Sequence, residues 1–245
     1  MTRWIYSSFA FCILLLAASG GSVAAESGNQ VVVELFTSQG CPACPPAEAY
    51  MRDLAARDDV IALEFHIDYF DYTGWTDPFG RADFTRRWRD YARATGARYE
   101  YTPFMVIDGR LHQIGSRRDL AEERIRKMRQ VRPRGPRLVL DMTGDRISVT
   151  VAGGDADGPY DILLATYENR TKTRITAGEN KGRTAVNANV VRGFERVGRW
   201  TGTPVRVTAA TGAMPGGAGC AVLLQRAGGG PILAAARLDF DRPAR

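Results

Sequence analysis

Two cysteines lie three positions apart in the stretch TSQGCPACPPAE, residues 37–48. This Cys41/Cys44 spacing suits a redox-active dithiol, half of a zinc site or a structural disulfide. A structural zinc site needs a second pair of ligands, and the sequence offers no second spaced pair, so we expect no metal ion here. A static disulfide that closes so short a loop would add little stability. The spacing therefore favours redox chemistry while leaving the other two chemistries open.

The neighbours of the dithiol sharpen this interpretation. The apolar run VVVELF, residues 31–36, predicts a strand buried on both faces, and a helix is predicted over 46–56. A helix N-terminus favours a thiolate, so Cys41 is expected to be the exposed nucleophile and Cys44 the thiol that resolves the mixed disulfide. The doubled Pro45-Pro46 predicts that the helix begins only after Cys44, which would weaken this effect.

The elements that must position the dithiol alternate along the first half of the chain. They are a strand at 31–36, a helix at 46–56, a strand at 60–67, a helix at 82–95, a hairpin turning at Asp108-Gly109 and a third helix opening at Ser116. The order strand, helix, strand, helix, strand, strand, helix is the thioredoxin arrangement. We therefore predict an α/β thioredoxin-like fold for residues 26–131.

Three more residues are candidates for the same site. Thr102-Pro103 directly precedes the predicted hairpin, where thioredoxin-like proteins place a cis-proline that faces the dithiol and leaves the preceding backbone free to pair with a substrate chain. Glu34 is the only ionisable residue of the run VVVELF. In a strand buried on both faces its pKa would rise, and it is a candidate proton acceptor for the resolving thiol. The alternative is an edge position in the sheet or a partner arginine.

The second half of the sequence has a different pattern of apolar and turn-forming residues. The stretch RPRGPR, residues 132–137, predicts a linker, and short alternating apolar runs with glycine-rich turns follow it. Residues 138–245 are therefore predicted to form a smaller all-β, sandwich-like domain. Cys220 lies in one of its strand-like runs, and its simplest interpretation is a buried small hydrophobic residue. The alternative is a partner cysteine for the dithiol.

The N-terminus indicates the cellular location of the protein, and the charge pattern limits the classes of partner. Residues 1–25 contain Arg3, the apolar stretch FAFCILLLAA and small residues up to Ala25, which predicts a cleaved signal peptide. We expect a periplasmic or secreted protein with no stable membrane insertion after cleavage. The net charge is +6, but the arginines are dispersed among acidic residues, so no nucleic-acid partner is expected.

Four stretches together resemble a known family. They are VVVELFTSQGCPACPPAEA, FHIDYFDYTGWTDPF, YTPFMVIDG and GENKGRTAVNANVV. The chain is similar over nearly all of its mature length to the exported bacterial proteins of domain-of-unknown-function family 1223, in the thioredoxin-like superfamily. The resemblance implies a thioredoxin-like first domain, an attached β-rich domain and an exported location. It carries no established activity.

These observations predict a thiol–disulfide oxidoreductase with a Cys-Pro-Ala-Cys dithiol. Its substrate would be a protein or a small thiol or disulfide, and it would need a redox partner but no organic cofactor. Two alternatives remain open at this point. One is a partner-binding protein with an inert disulfide, and the other is a metallochaperone that holds Cu(I) through both thiolates.

Overall fold

The structure is a computed structural model that describes residues 23–131, 135–212 and 217–240. These residues form a mixed α/β fold that consists mostly of strands in two sheets, with three α-helices. Most of the predicted signal peptide lies outside the described residues, and cleavage after Ala25 would remove three of the four residues of the first strand. Among the helices that the structure describes, none is long and apolar enough to cross a membrane.

The elements have the following bounds. The strands are β1 Val23–Glu26, β2 Val31–Thr37, β3 Val60–His66, β4 Phe104–Ile107, β5 Leu111–Ile114, β6 Leu138–Thr143, β7 Arg146–Val151, β8 Tyr160–Arg174, β9 Thr184–Trp200, β10 Val205–Ala210, β11 Ala218–Arg226 and β12 Ile232–Asp239. The helices are α1 Pro45–Ala55, α2 Ala82–Ala94 and α3 Arg118–Val131, and a 3-10 helix spans Asp68–Thr73.

The larger sheet has eight strands in the order β12-β11-β8-β9-β3-β2-β4-β5. Within it β2 and β3 are parallel, and β9 joins β3 in parallel at the pair Glu64–Val190. Strands from both sides of the predicted linker therefore share one sheet, although the sequence predicted that the later strands would form a domain of their own. The reason is the free edge of β3, whose backbone groups need partners. The long strand β9 supplies them, together with the Asn189 side chain, which donates to the Ala62 carbonyl.

The smaller sheet has the order β1-β6-β7-β10 and is antiparallel throughout. Its apolar side packs against one face of β8, β11 and β12, which gives the sandwich-like layer that alternating apolar residues predicted. On β11, Val222 and Leu224 face this layer, whereas Leu223 points into the core on the opposite face. These strands are covered on both faces because successive side chains point to opposite sides of a sheet.

Strand β2 is buried on both faces, as its continuous apolar run predicted. Val33 and Leu35 belong to the core beneath α1 and α3, and Val32 and Phe36 belong to the core beneath α2. The face of α1 that carries Met51 and Leu54 packs on the first of these cores. This packing fixes the end of β2 and the start of α1, and the loop between them carries the two cysteines.

The local predictions that bear on the site are confirmed. The hairpin β4–β5 turns at Asp108 and Gly109, whose φ values of 49° and 64° are both positive, as a type I′ turn requires. Gly96 follows α2 with a φ of 71°, the left-handed conformation that ends a helix.

Candidate functional site

Cys41 and Cys44 form a disulfide in the loop between β2 and α1, with their Cα atoms 5.5 Å apart. The Cys44 amide donates to the Cys41 carbonyl (3.3 Å), and the Cys41 amide donates to the Ser38 carbonyl (3.0 Å). The expectation that Cys41 is exposed is wrong: only 2% of its surface is accessible, and none of Cys44. The exposed part of the loop is Pro42 and Ala43, which form the surface above the bridge.

Helix α1 begins at Pro45, directly after Cys44, as the two prolines predicted. Pro45 and Pro46 have no N–H group, and the next two amides, of Ala47 and Glu48, both donate to the Cys44 carbonyl at 2.9 and 3.1 Å. The first turn therefore directs its amides to its own backbone. The helix contributes less to a Cys41 thiolate than an ordinary helix N-terminus would.

The predicted cis peptide bond is present between Thr102 and Pro103. The Thr102 hydroxyl donates to the Cys41 sulfur at 3.3 Å. Pro103 is buried at the entry to β4, and its carbonyl accepts from the Gly115 amide (2.8 Å) at the end of β5. The structure thus brings three of the predicted site residues together with Cys44, and it gives the Cys41 sulfur a hydroxyl donor that the sequence did not reveal.

A buried asparagine from the second half of the chain completes the loop. Asn180, 3% exposed, lies in the turn 175–183 between β8 and β9. Its Nδ2 donates to the carbonyls of Gln39 (2.9 Å) and Cys41 (2.8 Å). The sequence did not predict a role for Asn180, because a polar side chain in a glycine-rich turn gives no sign of a partner about 140 residues away.

Replacing Asn180 by alanine is expected to lower the free energy of unfolding by about 1–3 kcal/mol, since two buried carbonyls lose their donor. Urea unfolding of the oxidised protein measures this change. Glu179→Ala, at the exposed neighbouring position, is the matched control and should change stability by less than about 0.5 kcal/mol. Equal effects of the two substitutions would show that the Asn180 hydrogen bonds do not hold the loop.

The aromatic and acidic segment between β3 and α2 packs against the same loop. The Asp77 carboxylate accepts a hydrogen bond from the backbone amide of Gln39 (2.6 Å), and the Trp75 indole donates one to Oε1 of the Gln39 side chain (3.3 Å). Gly178 of the β8–β9 turn lies so close that an added Cβ would be 2.9 Å from the Trp75 Cβ. Three segments that are distant in sequence therefore meet at the disulfide loop.

A buried cluster of ionisable groups lies under this junction. His66 Nδ1 contacts Asp77 Oδ2 at 2.8 Å, and its Nε2 lies 3.9 Å from a Glu64 carboxylate oxygen. Glu64 accepts from the Asn187 side chain (2.9 Å) and the Ala188 amide (3.0 Å) of β9. Glu48, one turn into α1, accepts from the Thr37 hydroxyl at 2.8 Å.

The pKa values in this cluster follow from burial and charge. Burial lowers the pKa of His66, but the attraction of Asp77 and the two glutamates outweighs it and raises the pKa to about 9. Burial raises the pKa of Glu64 to about 8 against the opposing effect of His66, and it also raises the pKa of Glu48. Burial disfavours the Asp77 carboxylate, yet His66 brings its pKa below the ordinary value.

Glu34, the candidate proton acceptor, lies elsewhere. It points to the sheet face covered by α2, opposite to the face on which α1 packs. There it is fully buried and forms an ion pair with Arg87 (2.7 Å), and the Tyr91 hydroxyl donates to it. Gln225 of β11 bonds to both Arg87 and Tyr91 at 2.9 and 2.8 Å. Glu34 therefore has a partner arginine, which was the alternative to a role as proton acceptor. The structure does not bring Glu34 together with the dithiol.

Cys220 is also separate from the dithiol. It is a free, buried cysteine on β11 in the core beneath the smaller sheet, as a small hydrophobic residue would be. Burial raises the pKa of its thiol to about 12, so the thiolate that disulfide exchange needs is disfavoured there.

Comparison with solved structures gives two informative similarities. The crystal structure of protein AGR_C_4864 from Agrobacterium tumefaciens is 30% identical, with a TM-score of 0.75, over 88% of this chain and 96% of that one. HBP35 of Porphyromonas gingivalis is 11% identical, with a TM-score of 0.56, over 88% of this chain and 76% of that one, and this similarity concerns the fold alone.

None of the curated proteins compared with the chain matches it significantly. The family model described as "Protein of unknown function (DUF1223)" matches residues 32–225. This range includes the disulfide loop, Thr102-Pro103, the buried ionisable cluster and the turn that carries Asn180. The chain belongs to the DUF1223 family.

Proposed function

We propose that the protein is an exported thiol–disulfide oxidoreductase with a thioredoxin-like first half. The observation that carries the proposal is the Cys41–Cys44 bridge at a strand-to-helix junction, with the Thr102 hydroxyl 3.3 Å from the Cys41 sulfur beside cis-Pro103. A hydroxyl donor at this sulfur stabilises the thiolate, which is the reactive form of a cysteine. The apolar N-terminal stretch and a disulfide in a chain of this size support a location outside the cytoplasm.

The proposed chemistry is an exchange of two electrons between dithiol and disulfide. In the reduced protein the Cys41 thiolate attacks a substrate disulfide, forms a mixed disulfide and releases one substrate thiolate. Cys44 then loses its proton and attacks the Cys41 sulfur, which forms the intramolecular bridge and releases the second substrate thiolate. The reverse sequence oxidises a substrate dithiol and reduces the bridge. Thr102 also offers its backbone, next to the site of attack, for pairing with a substrate chain.

Equilibration of the bridge in glutathione redox buffers tests the proposal, with alkylation and mass measurement as the readout. We expect a reduction potential between about −270 and −120 mV, the range of proteins that exchange disulfides. A Cys44→Ser variant incubated with oxidised glutathione should gain a stable mixed disulfide on Cys41. The Cys41→Ser variant, in which the buried Cys44 is the one cysteine left in the loop, is the matched control and should gain no adduct on Cys44. A potential well below about −300 mV, or no adduct on Cys41, would overturn the proposal.

One observation favours a second function, a partner-binding protein with an inert disulfide. Both cysteines are buried, and a substrate reaches the Cys41 sulfur only after local movement of the loop. In that case the bridge would resist the same glutathione buffers in the folded protein. It would become reducible only under denaturing conditions.

A further inference from the structure

A cleft of about 320 Å³ lies beside the disulfide loop, between the first turns of α1 and the β8–β9 turn. Its lining includes Gln39 and Pro45 from either side of the two cysteines, Arg52 from α1, and Asn180 and Arg183 from the turn. Because Asn180 also holds the Cys41 carbonyl, a molecule in the cleft contacts the residues that position the bridge.

The cleft presents donors of hydrogen bonds. Gln39 is 1% exposed, and its Nε2 has no hydrogen-bond partner among the described residues. An unpaired buried amide of this kind favours a ligand that supplies an acceptor. Its Oε1 is already occupied by the Trp75 indole, which fixes the orientation of the amide.

Two guanidinium groups add positive charge at the mouth of the cleft. Arg52 and Arg183 are exposed, and neither forms an ion pair with a carboxylate in the part of the chain that the structure describes. Arg52 donates to the Val186 carbonyl at 2.8 Å, which holds its side chain along the cleft. The stretch 170–183 carries five cationic residues and one carboxylate, so its field favours an anion.

The one carboxyl group in the lining does not cancel this charge. Glu48 is 5% exposed and turned inward to the Thr37 hydroxyl. Burial raises the pKa of Glu48, and the attraction of the buried His66 opposes this shift.

We propose that this cleft binds the carboxylate of a small anionic thiol or disulfide beside the disulfide loop, so that the sulfur of that molecule reaches the buried Cys41–Cys44 bridge when the loop moves locally. This inference rests on the proposed function and adds the class of substrate. A bound thiolate attacks the Cys41 sulfur, forms a mixed disulfide and displaces Cys44, which takes a proton from water. A second thiolate attacks the mixed disulfide, which releases the oxidised small molecule and leaves both cysteines reduced. The carboxylate of the ligand forms ion pairs with Arg183 and Arg52 and accepts a hydrogen bond from Nε2 of the Gln39 side chain.

Three thiols of similar size and different charge test the inference. The second-order rate constant for reduction of the bridge is measured with 3-mercaptopropionate, 2-mercaptoethanol and cysteamine, for the wild type and each variant. The ratio of variant to wild type is taken for each thiol, so the intrinsic reactivities of the thiols cancel. Arg183→Glu should slow the reaction of the anionic thiol about tenfold, leave the neutral thiol within about twofold and accelerate the cationic thiol.

Further variants separate the cleft from the general charge of the turn. Arg52→Gln and Arg183→Gln should each slow the anionic thiol about two- to fivefold. Lys172→Gln is the matched control, because this exposed cation lies on β8 outside the cleft lining, and it should change each rate constant less than twofold. Unfolding curves of all variants should overlay with that of the wild type, since the substituted residues are exposed.

The outcomes distinguish this inference from the proposed function. Suppose that all three thiols reduce the bridge and that Arg183→Glu changes the three rate constants equally. The proposed thiol–disulfide exchange would then stand, and the inferred preference for an anionic substrate would be overturned. An effect of Lys172→Gln as large as that of Arg183→Gln would also overturn the cleft, because only net charge would then matter. If none of the thiols reduces the bridge in the folded protein, the proposed function fails and this inference fails with it.

Discussion

Replacing Arg87 by methionine is expected to lower the free energy of unfolding by about 3–5 kcal/mol, because it leaves the fully buried Glu34 without its counter-charge. The Arg87 guanidinium is held between acceptors and aromatic rings. It donates to Glu34 (2.8 Å) and to Tyr91 (2.9 Å) and lies 4.3 Å from the centre of the Phe194 ring. Methionine fills much of the same volume but supplies no charge, so the loss comes mainly from the uncompensated carboxylate.

The double variant Glu34→Gln with Arg87→Met should recover a substantial part of this loss, because no uncompensated charge then remains buried. Urea unfolding at constant pH gives the free energies for the double-mutant cycle. Arg86→Met, at the exposed neighbouring position on α2, is the matched control and should change stability by less than about 0.5 kcal/mol. If the double variant is no more stable than Arg87→Met alone, the two residues do not act as an ion pair.

Raising the pH from about 5 to about 9 is expected to lower the free energy of unfolding by about 3 kcal/mol or more. The pKa of His66 is about 9 in the folded chain, so its contribution is complete below its ordinary value of 6.5 and is lost as the pH rises through 9. The pKa of Glu64 is about 8, above its ordinary value of 4.5, so the folded state also retains this proton longer than the unfolded state. Both groups therefore act in the same direction across this range.

Urea unfolding at several pH values measures this slope. Glu64→Gln removes one of the two titrations and should flatten the slope. Glu122→Gln is the control, because the pKa of Glu122 is lowered, and its contribution is lost only in acid below the measured range. The contribution of Asp77 is also lost only in acid, since its pKa lies below its ordinary value of 3.8. A stability that is constant between about pH 5 and about pH 9 would show that the buried cluster keeps its protonation on unfolding.

The parts of the fold that the sequence predicts are those governed by local pattern. The near-continuous apolar run VVVELF predicted β2, in which every side chain is buried. Pro45-Pro46 predicted that α1 begins only after Cys44, because the two prolines would disturb a turn there. Both statements depend on residues that are close in sequence. That Thr102-Pro103 faces the dithiol was predicted from the place of a cis-proline in thioredoxin-like proteins.

The parts that the sequence did not predict depend on distant contacts. Glu34 was assigned to the dithiol because it is the only ionisable residue of the run VVVELF, but alternation along β2 turns it to the other face, where it pairs with Arg87. Asn180 and the Glu64–His66–Asp77 cluster come together only because β9 joins the edge of β3. No periodicity in the chain encodes that pairing.

The position of Asn180 also bears on whether the chain can be divided. The disulfide loop belongs to the first half of the protein, but one of its walls and two of its backbone hydrogen bonds come from the second half. The Cys41–Cys44 bridge is therefore not part of a module that is independent of the later strands. A substitution in the β8–β9 turn alters the hydrogen bonds that hold the disulfide loop, just as a substitution beside the cysteines does. The two halves of the chain are therefore expected to evolve together.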